Sequence, residues 1–415
     1  MRILPEDQAA LDAVSARADA IVSRAVDWCG VNSGSRNLEG LERQLEALEA
    51  AAAALPCAVE RVPLAPSLEV ADDGDARAVR HPDALRLSVR PQAEVQVVMT
   101  GHYDTVYPAS SPFQSVVRRA DGALHGPGIA DMKGGISVML AAVEAFEAHP
   151  ARERVGWTML LSPDEEIGSL ASAPLLAELG RRGHVGLTYE PAMGGGTLAG
   201  ARKGSGNWRL VVRGRSAHAG RAFAEGRNAV VGAARIAVDL NALNGRRDGV
   251  TINVGRIAGG SPSNVVPDTA VVQFNARVPD AASAAWVETA LADIVAAPFD
   301  DLTLALHGGF TRPPKPLDPS QQALLAAVRD AGGLLGQSIA WTASGGVCEG
   351  NNLHAAGLPN VDTLGVLGGD IHSEAEFAWP DSFAERARLS VLILAKIASG
   401  EIDAPALKRL RLETR

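Results

Sequence analysis

Cysteine is scarce and unpatterned. Cys29, Cys57 and Cys348 are the three in 415 residues, and no two stand at CxxC spacing. Isolated cysteines in odd number exclude a disulfide framework and fit a reducing compartment. Positive charge is also short: 39 Lys and Arg face 48 Asp and Glu, a formal net charge of −9. Nucleic-acid binding needs a basic footprint, so neither nucleic acid nor an anionic membrane surface is an expected partner. No apolar run is long enough to span a bilayer. The opening "MRILPEDQAALDAVSARADAIV" has no basic region leading into an apolar core, so it does not read as a secretory signal. It reads as an amphipathic helix, with Leu11, Val14, Ala18 and Ile21 on one stripe. The expectation is a cytoplasmic protein of two domains.

What is present has a clear order. Residues 1–56 read as helical, broken at "GVNSGSRN". "VQVVMT" and "RVGWTMLLS" read as buried strands, and "VGLTYEPA" as a third strand end. Between them lie helices, "DMKGGISVMLAAVEAFEAH" and "SLASAPLLAELGRRG". Continuous apolar strands alternating with helices predict an α/β fold: a mainly parallel sheet flanked by helices. After Gly200 the order becomes strand, helix, strand, strand, helix, strand, which predicts a ferredoxin-like α+β unit. "TRPPKPLDPS" is a proline-rich connector, after which helix and strand alternate again. The expected domains are 1–200 and 313–415, forming one catalytic unit, with 201–312 inserted as a lid or dimerisation domain.

In an open parallel sheet, ligands bind outside the carboxyl ends of the strands. His102 and Asp104 follow the first strand, Asp131 precedes the glycine-rich helix, and Glu165 and Glu166 follow "GWTMLL". Glu190 follows "VGLTY", and "LGVLGGDIHSEAEF" reads as a further strand and loop carrying His372. Adjacent glutamates at the mouth of a core repel and are penalised by desolvation, so a cation is expected beside them. Imidazole and carboxylate suit Zn²⁺. Five such groups exceed what one catalytic zinc takes, and a carboxylate bridging two ions roughly 3.5–4 Å apart resolves the count. Asp104 stands where it could orient His102.

"GHYDTVYP", "GPGIADMKGG", "SPDEEIGS", "YEPA", "SAHAG" and "GGDIHSEAEF" together resemble the di-zinc family of glutamate carboxypeptidase, acetylornithine deacetylase, succinyl-diaminopimelate desuccinylase and aminoacylase-1. The likeness runs from about Val95 to Phe377 and is greatest to the glutamate carboxypeptidase branch. It implies two Zn²⁺ per chain, replaceable by Co²⁺ or Mn²⁺. His102 and Glu190 would serve one zinc, Glu166 and His372 the other, and Asp131 both. It further implies Glu165 as general base on a metal-activated water, with Asp104 orienting His102. His218 would reach a neighbouring subunit's site in a homodimer. Asn264 and Arg277 would hold a substrate carboxylate; apart from the resemblance, Arg312 is a second candidate because guanidinium forks bind carboxylates. The sequence departs from the family at Asn275, where aspartate is common, and at Cys348–Glu349, where relatives vary.

The implied reaction is hydrolysis of an amide or peptide bond next to a free carboxylate. The substrate would be a small molecule, either an N-acyl amino acid or a short peptide. An aminopeptidase or dipeptidase would use the same metals. A metal-dependent binding protein without turnover is the third reading, and the intact Glu165 argues against it. Asp131 could also be an N-cap. Cys348 reads as a packed thiol, "GGGTLAG" as a linker, and His81, His125, His149, His184, His307 and His354 as structural or solvent-facing.

Overall fold

The computed structural model describes residues 1–297, 299 and 301–414. Three amphipathic helices come first, Pro5–Ser15, Ala18–Cys29 and Leu38–Ala52, and they bury Leu11, Ile21, Trp28, Leu41 and Leu45 in the main core. That core covers one face of a six-stranded sheet. The strand order is Ala58–Val62, Ala84–Val89, Val155–Ser162, Val95–His102, Val185–Thr188, Asn360–Val361.

The last four strands are parallel, as their continuous apolar runs predict. The first two are antiparallel, so the sheet is mixed rather than wholly parallel. They lie in a stretch, 57–92, whose polar alternation suits a half-exposed edge and gives a weak signal. A second difference concerns His372. The segment before it forms no strand of the central sheet. Leu367 makes a single bridge to Ala192, and Gly368–Gly369 pairs with Phe377–Ala378 in a separate four-stranded sheet of two-residue strands.

The strands Gly204–Arg213, Thr251–Gly259, Thr269–Val278 and Thr303–Arg312 form an antiparallel sheet. Numbered in chain order, they stand 2-3-1-4 across it, the ferredoxin-like arrangement. Helices Ala229–Asn241 and Ala281–Ala296 cover one face over a second core that includes Trp208, Phe274 and Leu291. The other face carries an unforeseen hairpin, Ser67–Val70 with Ala76–Val79, from the large unit. Val70 packs with Val211 and Val271, and Asp72 and Asp75 pair with Arg256 and Arg213. The two chain crossings between the units are joined, Arg202 and Lys315 exchanging backbone hydrogen bonds of 2.8 and 3.0 Å. No helix of the described residues is long and apolar enough to cross a membrane.

Candidate metal centre and active site

The parallel strands deliver the acidic groups to one sheet edge. His102 is the last residue of Val95–His102, Glu165 and Glu166 follow Val155–Ser162 by a tight turn, and Glu190 lies two residues beyond Val185–Thr188. Asp131 precedes the buried helix Lys133–Phe146. Glycine there is a packing requirement: a Cβ at Gly135 would stand 2.1 Å from the Tyr189 carbonyl, so only glycine lets Asp131 come this close to Glu190. The helix N-cap is Met132, so Asp131 does not cap it and its carboxylate is free for the site.

Asp131 divides its carboxylate between two imidazoles. Oδ1 lies 3.1 Å from His102 Nε2 and Oδ2 lies 3.2 Å from His372 Nε2. Glu190 Oε1 is 3.8 Å from the first imidazole and Glu166 Oε2 is 3.3 Å from the second. His102, Asp131 and Glu190 thus make one group able to hold a cation, and Asp131, Glu166 and His372 another. His372 arrives from a loop in which Asp370 and His372 both take left-handed φ, 53° and 62°. Non-glycine residues adopt that region at a cost, and such strain concentrates where a side chain must be aimed.

The electrostatics favour cations. Burial, with Asp131 second, pushes the Glu166 carboxyl up, and burial does the same to Glu190. His372 is pushed up by its hydrogen bonds to Asp131 and Glu166. Among the described residues, the buried Glu166 Oε1 and Glu190 Oε1 have no hydrogen-bond partner. Buried carboxylate oxygens without donors are costly unless they coordinate a metal, so the donor set fits two cations.

Asp104 does more than the sequence indicates. Its carboxylate is 3.4 Å from His102 Nδ1, but its own carbonyl is nearer that nitrogen, at 3.0 Å. The carboxylate mainly accepts from the backbone N–H of Glu165 and Glu166, at 3.1 and 3.2 Å, and from Ser35 Oγ at 2.7 Å. It therefore shapes the turn that presents both glutamates. Glu376 does the same for Asp131, and sequence reasoning missed it. Fully buried, it accepts from Gly128, Ala130 and Asp131 N–H and from the Tyr107 hydroxyl. Its only sequence signal is an acid between Ala375 and a two-residue strand.

A cleft of about 660 Å³ opens over these groups and reaches the small sheet, with Arg202, Arg277 and Arg312 in its walls. Arg202 is committed to Asp362, at 2.9 and 2.8 Å. Arg312 is buried and paired with Glu165 at 2.6 Å, rather than standing free for a substrate. Among the described residues Arg277 pairs with no carboxylate: Nε donates to Asn275 Oδ1 at 3.1 Å, and Nη1 is buried without a partner. Within the chain, His218 and Asn264 are not brought to the cleft. His218 is exposed on a short ribbon, Ala217–His218 with Val265–Val266, and Asn264 sits beside it. Cys348 is a packed thiol, buried and held well above its usual pKa by burial.

The chain is similar to several known proteins. Carboxypeptidase G2 of Pseudomonas sp. (strain RS-16) is 26% identical over 316 residues, 74% of each chain. Succinyl-diaminopimelate desuccinylase of Bordetella petrii is 30% identical over 307 residues, 69% of this chain and 79% of that one. A tripeptidase structure from Staphylococcus aureus superposes with a TM-score of 0.71 at 21% identity, covering 92% of this chain and 99% of that one, a likeness of fold. The model of peptidase family M20/M25/M40 matches residues 98–396. With well over half of its length so matched, the chain belongs to peptidase family M20/M25/M40 and is a metal-dependent hydrolase of that family.

Proposed function

We propose that the chain is a di-zinc hydrolase that cleaves an amide or peptide bond next to a free carboxylate, as a carboxypeptidase or an N-acyl-amino-acid deacylase. His102 and Glu190 would hold one ion, Glu166 and His372 the other, with Asp131 between them. When bound, the ions supply Lewis-acid polarisation of water and of the scissile carbonyl. Glu165 takes the proton from water and passes it to the leaving amine. Arg312 and the Asp104-shaped turn hold Glu165 in place for both transfers.

The observation that carries the substrate class is the uncompensated charge of Arg277. The neutral Asn275 holds its Nε, Nη1 has no partner, and the other two cleft guanidiniums are each committed to a carboxylate. A half-buried guanidinium whose Nη1 lacks a partner in a cleft wall favours a substrate carboxylate. The isolated, free cysteines support a cytoplasmic setting. A homodimer through the small domain is proposed as well, since the Thr251–Gly259 strand is an open sheet edge.

The test is a turnover screen of N-acyl amino acids and dipeptides with zinc present, each also with its amine or its carboxyl blocked. Blocking the carboxyl should abolish turnover, and blocking the amine should not. The reverse pattern would replace this reading by an aminopeptidase.

A further inference from the structure

The glycine turn Gly194–Gly196 separates two cavities. Gly194 lines the catalytic cleft, whereas Gly195 and Gly196, at φ 70° and 80°, line a second cavity of about 620 Å³. Arg386 and Arg388, on the helix Asp381–Ser399, form part of its wall. Arg386 is only 2% exposed. Its Nη2 donates to the Gly196 carbonyl at 2.9 Å, but Nε and Nη1 are buried with no partner among the described residues, and so is Arg388 Nε. Asp381 and Glu385 also line the cavity, yet among the described residues neither partners the Arg386 Nε or Nη1. Burial lowers the Arg386 pKa, and Glu385 only opposes that.

A guanidinium does not shed its proton in a protein, so burial cannot neutralise it as it would a lysine. A buried charge with two idle donors is among the costlier features a fold can carry. Water would satisfy the donors but not the charge. The catalytic machinery makes no use of this group, which stands on the other side of the glycine turn.

We propose that this second cavity is a binding site for a small oxyanion, a carboxylate or a phosphate, held by the Arg386 guanidinium. Occupancy fills the space behind the turn whose Met193 and Gly194 wall the catalytic cleft.

The experiment titrates inorganic phosphate, acetate and succinate, at constant ionic strength, into the metal-loaded protein while its melting temperature is followed. The wild type should show a saturable rise with at least one anion, and which anions act separates phosphate from carboxylate. Arg386→Gln should bind at least ~10-fold more weakly, the loss expected when hydrogen bonds to a charged group are removed. Because that variant could fail to fold, Ala384→Glu is the second arm. Ala384 lines the cavity, and a tethered carboxylate there should raise the melting temperature without added anion and abolish the response. Arg277→Gln, which alters only the catalytic cleft, should keep it. A response unchanged in Ala384→Glu, one lost in Arg277→Gln, or none in the wild type would overturn the assignment and leave water as the occupant.

Discussion

Arg312 holds Glu165 in place: Nη2 donates to the Glu165 carboxylate at 2.6 Å and to its carbonyl at 3.2 Å. Nη1 donates to Asn352 Oδ1 at 2.7 Å. Arg312 closes the last strand of the small sheet, whereas Glu165 stands at the edge of the large one. The pair therefore ties the two units together at the group proposed as the base.

Replacing Arg312 should act on turnover rather than on metal. Arg312→Gln leaves Glu165 without its donor, and kcat should fall at least ~10-fold with metal content unchanged, in keeping with a lost charge-assisted hydrogen bond. Arg312→Lys should restore only part, since an ammonium cannot span both Glu165 and Asn352 with fixed fork geometry. Steady-state kinetics beside metal analysis decide it, and an undiminished kcat in the glutamine variant would detach this pair from the reaction.

Asp131 should control both metals and His372 only one. The two Asp131 oxygens face different imidazoles, at 3.1 and 3.2 Å. Purified protein should carry close to two equivalents of zinc, and a chelator should abolish activity. His372→Ala should retain about one equivalent, and Asp131→Ala should lose most of both. Loss of a single equivalent from Asp131→Ala would place the bridge elsewhere.

Much of this site is legible in the sequence, because strand ends put ligands in one place whatever the details of packing. His102, Asp131, Glu166, Glu190 and His372 cluster as their positions suggest. The residues that hold those groups are not legible. Glu376 and Ser35 act through contacts to segments 245 and 69 residues away, and no local pattern encodes such pairs. The hairpin and the antiparallel edge in 57–92 escape for a related reason. The hairpin strands and the outer strand Ala58–Val62 are largely exposed, so burial imposes little apolar pattern on them, and Ala84–Val89 is a short run of six residues beside them. Arg312 misleads differently: next to a proline-rich connector it looks available, and only the fold shows it buried against Glu165.

Glu349 should make stability fall with rising pH. It is fully buried, accepts from Ser162 Oγ, and leaves Oε2 without a partner. Burial pushes its carboxyl up to about 8 from an ordinary 4.5. A carboxyl with a raised folded pKa contributes most stability below its unfolded value and loses it as pH rises through the folded one. The wild type should therefore lose roughly 1.4 kcal/mol per pH unit from this group between those limits. Denaturant midpoints of wild type and Glu349→Gln, compared at pH 5, 7 and 9, should diverge in the variant's favour as pH rises. Parallel curves would mean that Glu349 ionises freely.

Glu165→Gln separates base from ligand. Glu165 belongs to neither candidate metal group, so the variant should keep its zinc. Turnover should fall at least ~10²-fold, the low end for general acid–base catalysis. Full turnover with zinc bound would put the base elsewhere.

His218 poses the last question, because within one chain it lies exposed on a ribbon of the small domain and does not line the cleft. The small sheet ends in the Thr251–Gly259 strand, which has a neighbour on one side only. An open edge is a liability that proteins cover or pair, and pairing two copies about a twofold axis would be an isologous contact. In such a homodimer His218 of one subunit could complete the site of the other and stabilise the developing oxyanion. Mixing tests this. Inactive Glu165→Gln chains, in excess, are combined with inactive His218→Ala chains under exchange conditions. A mixed dimer holds one site with both residues intact, so activity should reappear in proportion to mixed dimer formed. If mixed dimers form and remain inactive, His218 does not act across the interface. Closure of the small domain over its own chain's cleft then becomes the model to test, by joining the two units with a crosslink.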